Sequence, residues 1–313
     1  MKNRISKITK EMEEAVLRSG YLLEQEVDNF LRKNGYHTTP IYTFQKPNGE
    51  IREIDILGES PVLISKKGDF EFVSLKLLVE VKNVSPVICF TRKPIVPIRC
   101  FVGDLQFSGM PKNIWNKRNE GIDLLDFLNV EKFHHYYKKE KVSSQLCVIS
   151  EKHKAQKDEP HYIASHRFGG ERNLYEELVS PLVDGIIYLK EEDEEEWEFD
   201  PKKEPINLNF YYPVVVVTDL FEYYIDAKNP HYKKVHQVNF LRMHKAQEIS
   251  GELLRIDICD ENGFKQLVGK INDEFEVIIK RIKNKRSLFR ESALKDAKEK
   301  YLEQRKMKTK KKR

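Results

Sequence analysis

The most strand-like part of the chain reads LKLLVEVK, residues 75–82. Large apolar residues dominate this stretch, as they do in a strand that is buried in a sheet. Two charged residues, Glu80 and Lys82, interrupt its end. Because side chains alternate along a strand, Glu80 and Lys82 project from one face while Val79 and Val81 project from the other. The stretch therefore predicts an acid and an amine side by side on one face of a sheet.

A second acid lies in an apolar strand upstream. Asp55 is flanked by two isoleucines in the predicted strand 51–57. If this strand pairs with residues 75–82, Asp55 joins Glu80 and Lys82. Two carboxylates held together suit Mg²⁺, and a bound metal polarises a phosphate and lowers the pKa of its water. Lys82 would orient or deprotonate that water, or stabilise the extra charge on phosphorus, so the pattern predicts phosphodiester hydrolysis.

The helix upstream completes a family pattern. Residues 20–33 have helical spacing of apolar residues, and Gly35 ends this predicted helix. A helix glutamate, a strand aspartate and then a strand Glu-x-Lys resemble the PD-(D/E)XK, or restriction-endonuclease-like, superfamily. In its Mrr-like members the helix reads approximately E-x-x-V-x-x-x-L-x-x-x-G-Y. The residues that reproduce this helix motif are Glu24, Val27, Leu31, Gly35 and Tyr36. Glu24 is therefore favoured as the helix acid, with Glu26 second.

The resemblance implies a fold and a division of the chain. The fold is α/β, with a restriction-endonuclease-like mixed central sheet flanked by helices. One elaborated nuclease domain covers residues 1–279, with a helical insertion at about 91–175. A basic C-terminal helix and tail cover 280–313. The strand 213–218 looks like the central strand of such a nuclease, and residues 255–258 with the helix that follows look like its closing strand and helix.

The resemblance also implies an activity. It predicts an endonuclease that uses Mg²⁺ or Mn²⁺ to hydrolyse DNA. Glu24, Asp55, Glu80 and Lys82 are its catalytic residues, and Asp55, Glu80 and Val81 lie at the metal. Restriction or antiphage defence follows by analogy alone, because a fold does not fix biology. Cleavage of both strands favours a homodimer. The alternatives are a catalytically weak nucleic-acid-binding module and a regulatory subunit of a defence complex.

The sequence makes several further predictions about local structure. A helix is predicted over 3–18 and another over 123–139. The acidic run 191–198 is interpreted as a solvated loop. Residues 220–225 are expected to pair with the buried strand 213–218. The interval between Asp55 and Glu80 is long for a direct hairpin, so an extra turn or strand is expected between the two strands.

A rival acid and lysine set lies downstream. Asp219 follows a buried strand and precedes Asp226 and Lys228, which repeat the acid-x-lysine form, with Glu176 and Glu177 in an upstream helix. That form is common in a chain with 34% charged residues, so it has little weight by itself. The helix upstream of the rival lacks the spacing of valine, leucine and Gly-Tyr. Glu80 and Lys82 are therefore preferred.

The histidines suggest a metal site less strongly. His134 and His135 are adjacent, and His231 and His236 are close together. No cysteine or carboxylate accompanies them at the spacing of common zinc motifs. We therefore interpret them as surface or packing residues.

Composition and charge set the general class. The chain has 313 residues, of which 40% are hydrophobic, with 17 Phe and 14 Tyr, so it can bury a large core and is not disordered. Its net charge of +5 is uneven, because residues 280–313 carry +12 and leave −7 for residues 1–279. A basic tail suits a polyanion such as DNA, and it is equally the pattern of a solvated helix end.

Cysteine usage and hydropathy favour a cytoplasmic location. The cysteines are far apart, which is typical of core thiols in a reducing compartment. They are Cys89, Cys100, Cys147 and Cys259. No stretch has the roughly 20 apolar residues that a bilayer span needs, and the N-terminus lacks the apolar core of a signal peptide. We therefore expect no membrane partner.

Overall fold

The computed structural model describes most of the chain. The described ranges are 19–65, 71–84, 86–93, 105–138, 141–152, 161–165, 174–195, 206–244 and 252–310, with positions 10, 12 and 16. The helix predicted over 3–18 lies outside these residues, apart from those three positions.

Helices separate runs of consecutive strands along the described part of the chain. The strands are β1 (His37–Gln45), β2 (Ile51–Leu63), β3 (Phe72–Lys82), β4 (Val87–Arg92), β5 (Gln106–Met110), β6 (Asn113–Trp115), β7 (Gly121–Asp123), β8 (Val142–Lys152), β9 (His161–Ser165), β10 (Asn207–Val217), β11 (Leu220–Tyr224), β12 (Tyr232–Lys234), β13 (Gln237–His244) and β14 (Glu252–Cys259). The helices are α1 (Tyr21–Lys33), α2 (Leu124–Phe127), α3 (His135–Lys138), α4 (Leu174–Leu178), α5 (Ser180–Glu195), α6 (Glu261–Asn284) and α7 (Arg286–Lys310), with a 3₁₀ turn at Val130–Lys132.

Twelve of these strands form one mixed sheet flanked by helices. Its order is β1-β2-β3-β10-β14-β13-β8-β4-β11-β12, with β5 paired to β10 and β9 to β8. Strand β2 is antiparallel to both of its neighbours, β1 and β3. Strand β10 is parallel to both β3 and β14. The predicted α/β class and mixed central sheet are confirmed.

The expectation of an extra turn or strand in place of a direct hairpin between Asp55 and Glu80 is wrong. Strand β2 has 13 residues and β3 has 11, and the two pair antiparallel from Leu63 and Phe72 back to Ile56 and Val79. The interval is long because the strands themselves are long. This direct pairing brings Asp55 next to the end of β3.

The central strand is β10, whose Val214–Val217 segment is fully buried. A strand covered on both faces favours a continuous β-branched run, so the predicted buried strand is confirmed. Its predicted partner is wrong, because β11 pairs with β4 and β12 instead. Local sequence gave no information on that choice, since the pairing joins residues far apart in the chain.

Strands β3 and β10 end together. Lys82 and Val217 form their last pair, and the chains continue as the parallel pair β4 and β11. Between the two pairs the Thr218 hydroxyl donates a 2.8 Å hydrogen bond to the Asn83 side-chain oxygen. The carboxyl ends of two parallel strands therefore meet where Lys82 lies.

The region predicted as a helical insertion, 91–175, is mostly strand where it is described. Strands β5, β8 and β9 join the main sheet. The helix predicted over 123–139 is divided into α2, the 3₁₀ turn and α3. Asn129, at the break after α2, has a φ of 50°, a left-handed conformation that interrupts a regular helix.

The interpretation of 191–198 as a solvated loop is also wrong for its described part. Helix α5 continues to Glu195. Asp193 is held by the hydroxyls of Tyr211 and Ser108 and by Lys76. These contacts stabilise the acidic turn as part of the helix.

Helices cover both faces of the sheet. One core contains apolar residues of α1 and α6 packed on β3 and β10, and the other contains those of α5. The predicted basic C-terminal helix is present as α7. The Arg286 guanidinium of α7 contacts the fully buried Glu71, which precedes β3. Helix α7 therefore begins at the opposite end of β3 from Lys82.

Two glycines give a matched test of this packing. A methyl group at Gly109, where φ is 93°, would overlap the Asn207 carbonyl in the β5–β10 pair, whereas at Gly269 in α6 it would meet nothing within 4 Å. We expect Gly109→Ala to reduce the free energy of unfolding by about 3 kcal/mol. Gly269→Ala is expected to raise it by up to about 1 kcal/mol. Urea denaturation measures both, and equal effects would contradict the described β5–β10 pairing.

Candidate active site

Lys82 lies at the centre of the candidate site. Its ammonium nitrogen is 2.5 Å from Glu80 Oε1 and 3.1 Å from Asp55 Oδ2. Strand alternation places Glu80 and Lys82 on the same face of β3, and the β2–β3 pairing adds Asp55. Three of the four predicted catalytic residues are therefore in direct contact.

The Asp55 carboxylate is fixed by the backbone as well as by Lys82. The backbone N–H of Val81 donates a 2.7 Å hydrogen bond to Asp55 Oδ2. The Val81 side chain itself is buried in the core. Val81 therefore holds Asp55 in place through its main chain, and its position at a metal stays a prediction.

Glu24 is the fourth predicted residue and lies at the rim of the site. It is in the first turn of α1 and is partly buried. Its pKa is raised, mainly by burial and to a smaller extent by the nearby Asp55 carboxylate. Gly20, with φ of 86°, begins this helix, and a methyl group there would lie 3.5 Å from Asn83 Cβ and 3.8 Å from Glu24 Oε1. The close approach of α1 to the end of β3 therefore directs Glu24 to the site.

The two candidate helix acids can be separated by experiment. Glu26 is exposed, whereas Glu24 interacts electrostatically with Asp55 and Lys82. If the site cleaves DNA, Glu24→Gln is expected to lower the rate by about tenfold or more, since a group that orients the reacting water or metal is removed. Glu26→Gln should leave the rate unchanged. A plasmid-nicking time course compares the two, and a larger effect at Glu26 would contradict this assignment.

Glu80 has the most unusual environment of the four. It is 3% exposed, and its Oε2 atom is buried without a hydrogen-bond partner among the described residues. Burial raises the pKa of Glu80 to about 8, in spite of the nearby Lys82. The pKa of Lys82 is also raised, because Glu80 and Asp55 outweigh the effect of its burial. The Glu80 carboxyl group therefore needs a further cation or a proton.

This environment fits a divalent cation bound by oxygen ligands. Asp55 and Glu80 are bridged by one ammonium group, so their carboxylates already share a positive charge. Among the described residues, Glu24, Asp55 and Glu80 do not gather within 4.8 Å of one another as a set of three. An ion held by Asp55 and Glu80, with Glu24 further out, suits Mg²⁺, which uses one or two carboxylates.

The downstream rival is not assembled as a site. Asp226 and Lys228 are exposed in the turn after β11, and Asp226 accepts a hydrogen bond from the backbone of Lys93. Asp219 forms an ion pair with Lys234. Without a strand beneath them, Asp226 and Lys228 do not project together into a common site.

The interpretation of His134 and His135 as packing residues without accompanying carboxylates is only partly correct. Both are buried, as packing residues are, but carboxylates do accompany them. Glu274 and Asp257 contact His135, and they come from α6 and β14. The sequence signal that could have indicated this carboxylate was Glu274 itself, because it is an acid within the apolar stripe of a helix. His236 instead pairs with Asp260 at the surface.

Comparisons with known proteins give no family for the chain. No protein-family model matches it, and no curated protein or solved structure matches it. Within the described residues, no helix has the length and apolar character to cross a bilayer. Function must therefore be argued from the site.

Proposed function

We propose that the protein is a metal-dependent endonuclease that hydrolyses DNA phosphodiester bonds. The observation that carries this proposal is the buried Glu80 carboxyl group, with one unpartnered oxygen, beside Lys82 and Asp55. An unpartnered buried polar atom is costly, and a metal ion bound beside Asp55 would satisfy this oxygen. Here the polar atoms converge where two parallel strands end, at the edge of a sheet.

Asp55 and Glu80 would hold Mg²⁺ or Mn²⁺. When bound, the ion supplies Lewis acidity at the scissile phosphate and an acidified water. Lys82, released from part of its contact with the two acids, donates hydrogen bonds to the attacking water or to the phosphate oxygens. Glu24 accepts a hydrogen bond from water at the rim. Val81 keeps Asp55 aimed at the site.

The fold supports the same proposal. An α1-β1-β2-β3 unit precedes β10, which is parallel to β3, and β14 with α6 follows on the other side of β10. We propose that this arrangement is a restriction-endonuclease-like core. The order of helix glutamate, strand aspartate and strand Glu-x-Lys then occupies its expected positions. A homodimer and a role in defence against foreign DNA are parts of the same proposal.

The experiment is a cleavage assay with the purified full chain. Supercoiled plasmid is incubated with Mg²⁺, with Mn²⁺ or with excess EDTA, and nicked and linear products are measured. We expect products with either metal and none with EDTA, and loss of products in Asp55→Ala. A folded protein that binds DNA without cleaving it under any metal condition would favour a nucleic-acid-binding module instead.

A further inference from the structure

A second group of ligand atoms lies far from Lys82 in sequence and on other elements. His134, His135 and Glu274 each offer one atom, and these atoms all lie within 4.8 Å of one another. The two histidines are at the start of α3, and Glu274 is on α6. Both histidine side chains are completely buried and that of Glu274 is 6% exposed. Burial of three such groups together requires compensation of their polarity.

The distances in this group leave room for one ion. Glu274 Oε2 is 2.7 Å from His135 Nδ1 and 3.6 Å from His134 Nε2. Two ligands of a tetrahedral zinc ion lie about 3.4 Å apart, since each bond is about 2.0–2.1 Å. The 3.6 Å separation therefore matches, and the 2.7 Å separation needs a shift of about 0.7 Å. The Tyr212 hydroxyl, 3.2 Å from His134 Nε2, is available as a fourth ligand.

The surroundings of His135 are those of a metal ligand. Its Nε2 lies 2.9 Å from the Asp257 carboxylate, which in turn accepts a 2.7 Å hydrogen bond from Gln237. A ligating histidine commonly donates its other ring N–H to a carboxylate, which fixes the ring. With the proton on Nε2, the Nδ1 lone pair faces Glu274 Oε2. Two acceptors this close must have a cation between them, either a proton or a metal ion.

We propose that His134, His135 and Glu274 bind one zinc ion in a closed structural site. A proton would join only two atoms, whereas a third ligand, His134, faces the same carboxylate. Imidazole nitrogens favour zinc over Mg²⁺, which prefers oxygen, so this ion differs from the one proposed at Asp55 and Glu80. The site would fasten α3 to α6 and, through Asp257, to β14.

The ion would replace the contacts of His135 with Glu274 and of His134 with Tyr212, and its binding costs one further hydrogen bond. The backbone N–H of Tyr136 donates to Nδ1 of His134 at 3.2 Å. Binding through Nε2 moves the His134 proton to Nδ1, so this contact is given up. The contact joins residues two positions apart, and coordination of Nε2 would offset its loss.

The test is the metal content of the full chain, purified without a polyhistidine tag and gel-filtered in metal-free buffer. We expect inductively coupled plasma mass spectrometry to give one zinc ion per chain. His134→Ala and Glu274→Gln should hold less than a tenth of that amount, whereas His236→Ala, which alters a surface histidine, should keep it. A wild-type protein without zinc, or equal zinc in all variants, overturns the proposal.

A second measurement avoids variants that fail to fold. Wild-type protein stripped of metal is titrated with Co²⁺, and the visible absorption of a tetrahedral cobalt ion is followed. Saturation at one equivalent, with competition by Zn²⁺ but not by excess Mg²⁺, supports the site. No such absorption, or displacement by Mg²⁺, contradicts it. Neither readout uses DNA cleavage, so the zinc site and the nuclease proposal fail separately.

Discussion

Replacing Lys82 with alanine is expected to lower Mg²⁺-dependent DNA cleavage by at least about 100-fold. Lys82 is the group that touches both acids, through Nζ distances of 2.5 Å to Glu80 and 3.1 Å to Asp55. Its loss removes the amine that would orient the attacking water or neutralise charge on phosphorus. The assay is the initial rate of plasmid nicking at saturating Mg²⁺.

The matched control is Lys228→Ala. Lys228 belongs to another acid-x-lysine sequence, but it lies exposed in a turn. We expect this variant to retain the wild-type rate. Circular dichroism and gel filtration show whether each variant is folded. Activity that survives Lys82→Ala and disappears in Lys228→Ala would contradict the assignment of the site.

Local patterns were sufficient to predict most of the candidate site. Alternation along β3 places Glu80 and Lys82 on one face, and the apolar surroundings of Asp55 identify a second buried strand. The helix motif distinguishes Glu24 from Glu26. The first two inferences depend on neighbouring residues whose side-chain directions are fixed by backbone geometry, whereas the choice of Glu24 rests on the resemblance of the helix to the Mrr-like motif.

Longer-range features were not predictable in the same way. Strand β11 pairs with β4 rather than β10, a contact between residues more than 130 positions apart that no local pattern indicates. Likewise, Glu274 and His135 meet across 139 positions. Such contacts depend on how whole elements pack, because a strand's apolar pattern specifies burial but not its neighbour.

Among the site residues, Glu80 is expected to have the largest effect on how the free energy of unfolding depends on pH. Its pKa in the folded protein, about 8, lies above the ordinary value of 4.5. Between these pH values the folded state holds a proton that the unfolded chain releases. Stability of the metal-free protein therefore falls as pH rises from 4.5 to 8, by up to about 1.4 kcal/mol per pH unit, and then levels off.

Glu80→Gln removes this ionisation, so the variant should not lose stability in that window. We expect the difference in unfolding free energy, variant minus wild type, to grow by about 2–4 kcal/mol between pH 5.5 and pH 8.5. The lost contact with Lys82 adds an offset, but the slope with pH isolates the carboxyl group. Urea denaturation in EDTA measures it, with the exposed Glu26→Gln as control. A difference that does not change with pH would contradict the raised pKa.

Adding Mg²⁺ at pH 8.5 should reduce the difference in unfolding free energy, variant minus wild type. A metal ion supplies the positive charge that the Glu80 carboxylate lacks, so it stabilises the wild-type protein at pH 8.5 by binding only the folded state. The amide of Glu80→Gln is a poorer ligand, so this variant should gain little from Mg²⁺ and should lose cleavage by at least about 100-fold. The same buried carboxyl group would then account for both the instability of the metal-free protein and its dependence on metal. Equal stabilisation of both proteins by Mg²⁺ would place the ion elsewhere.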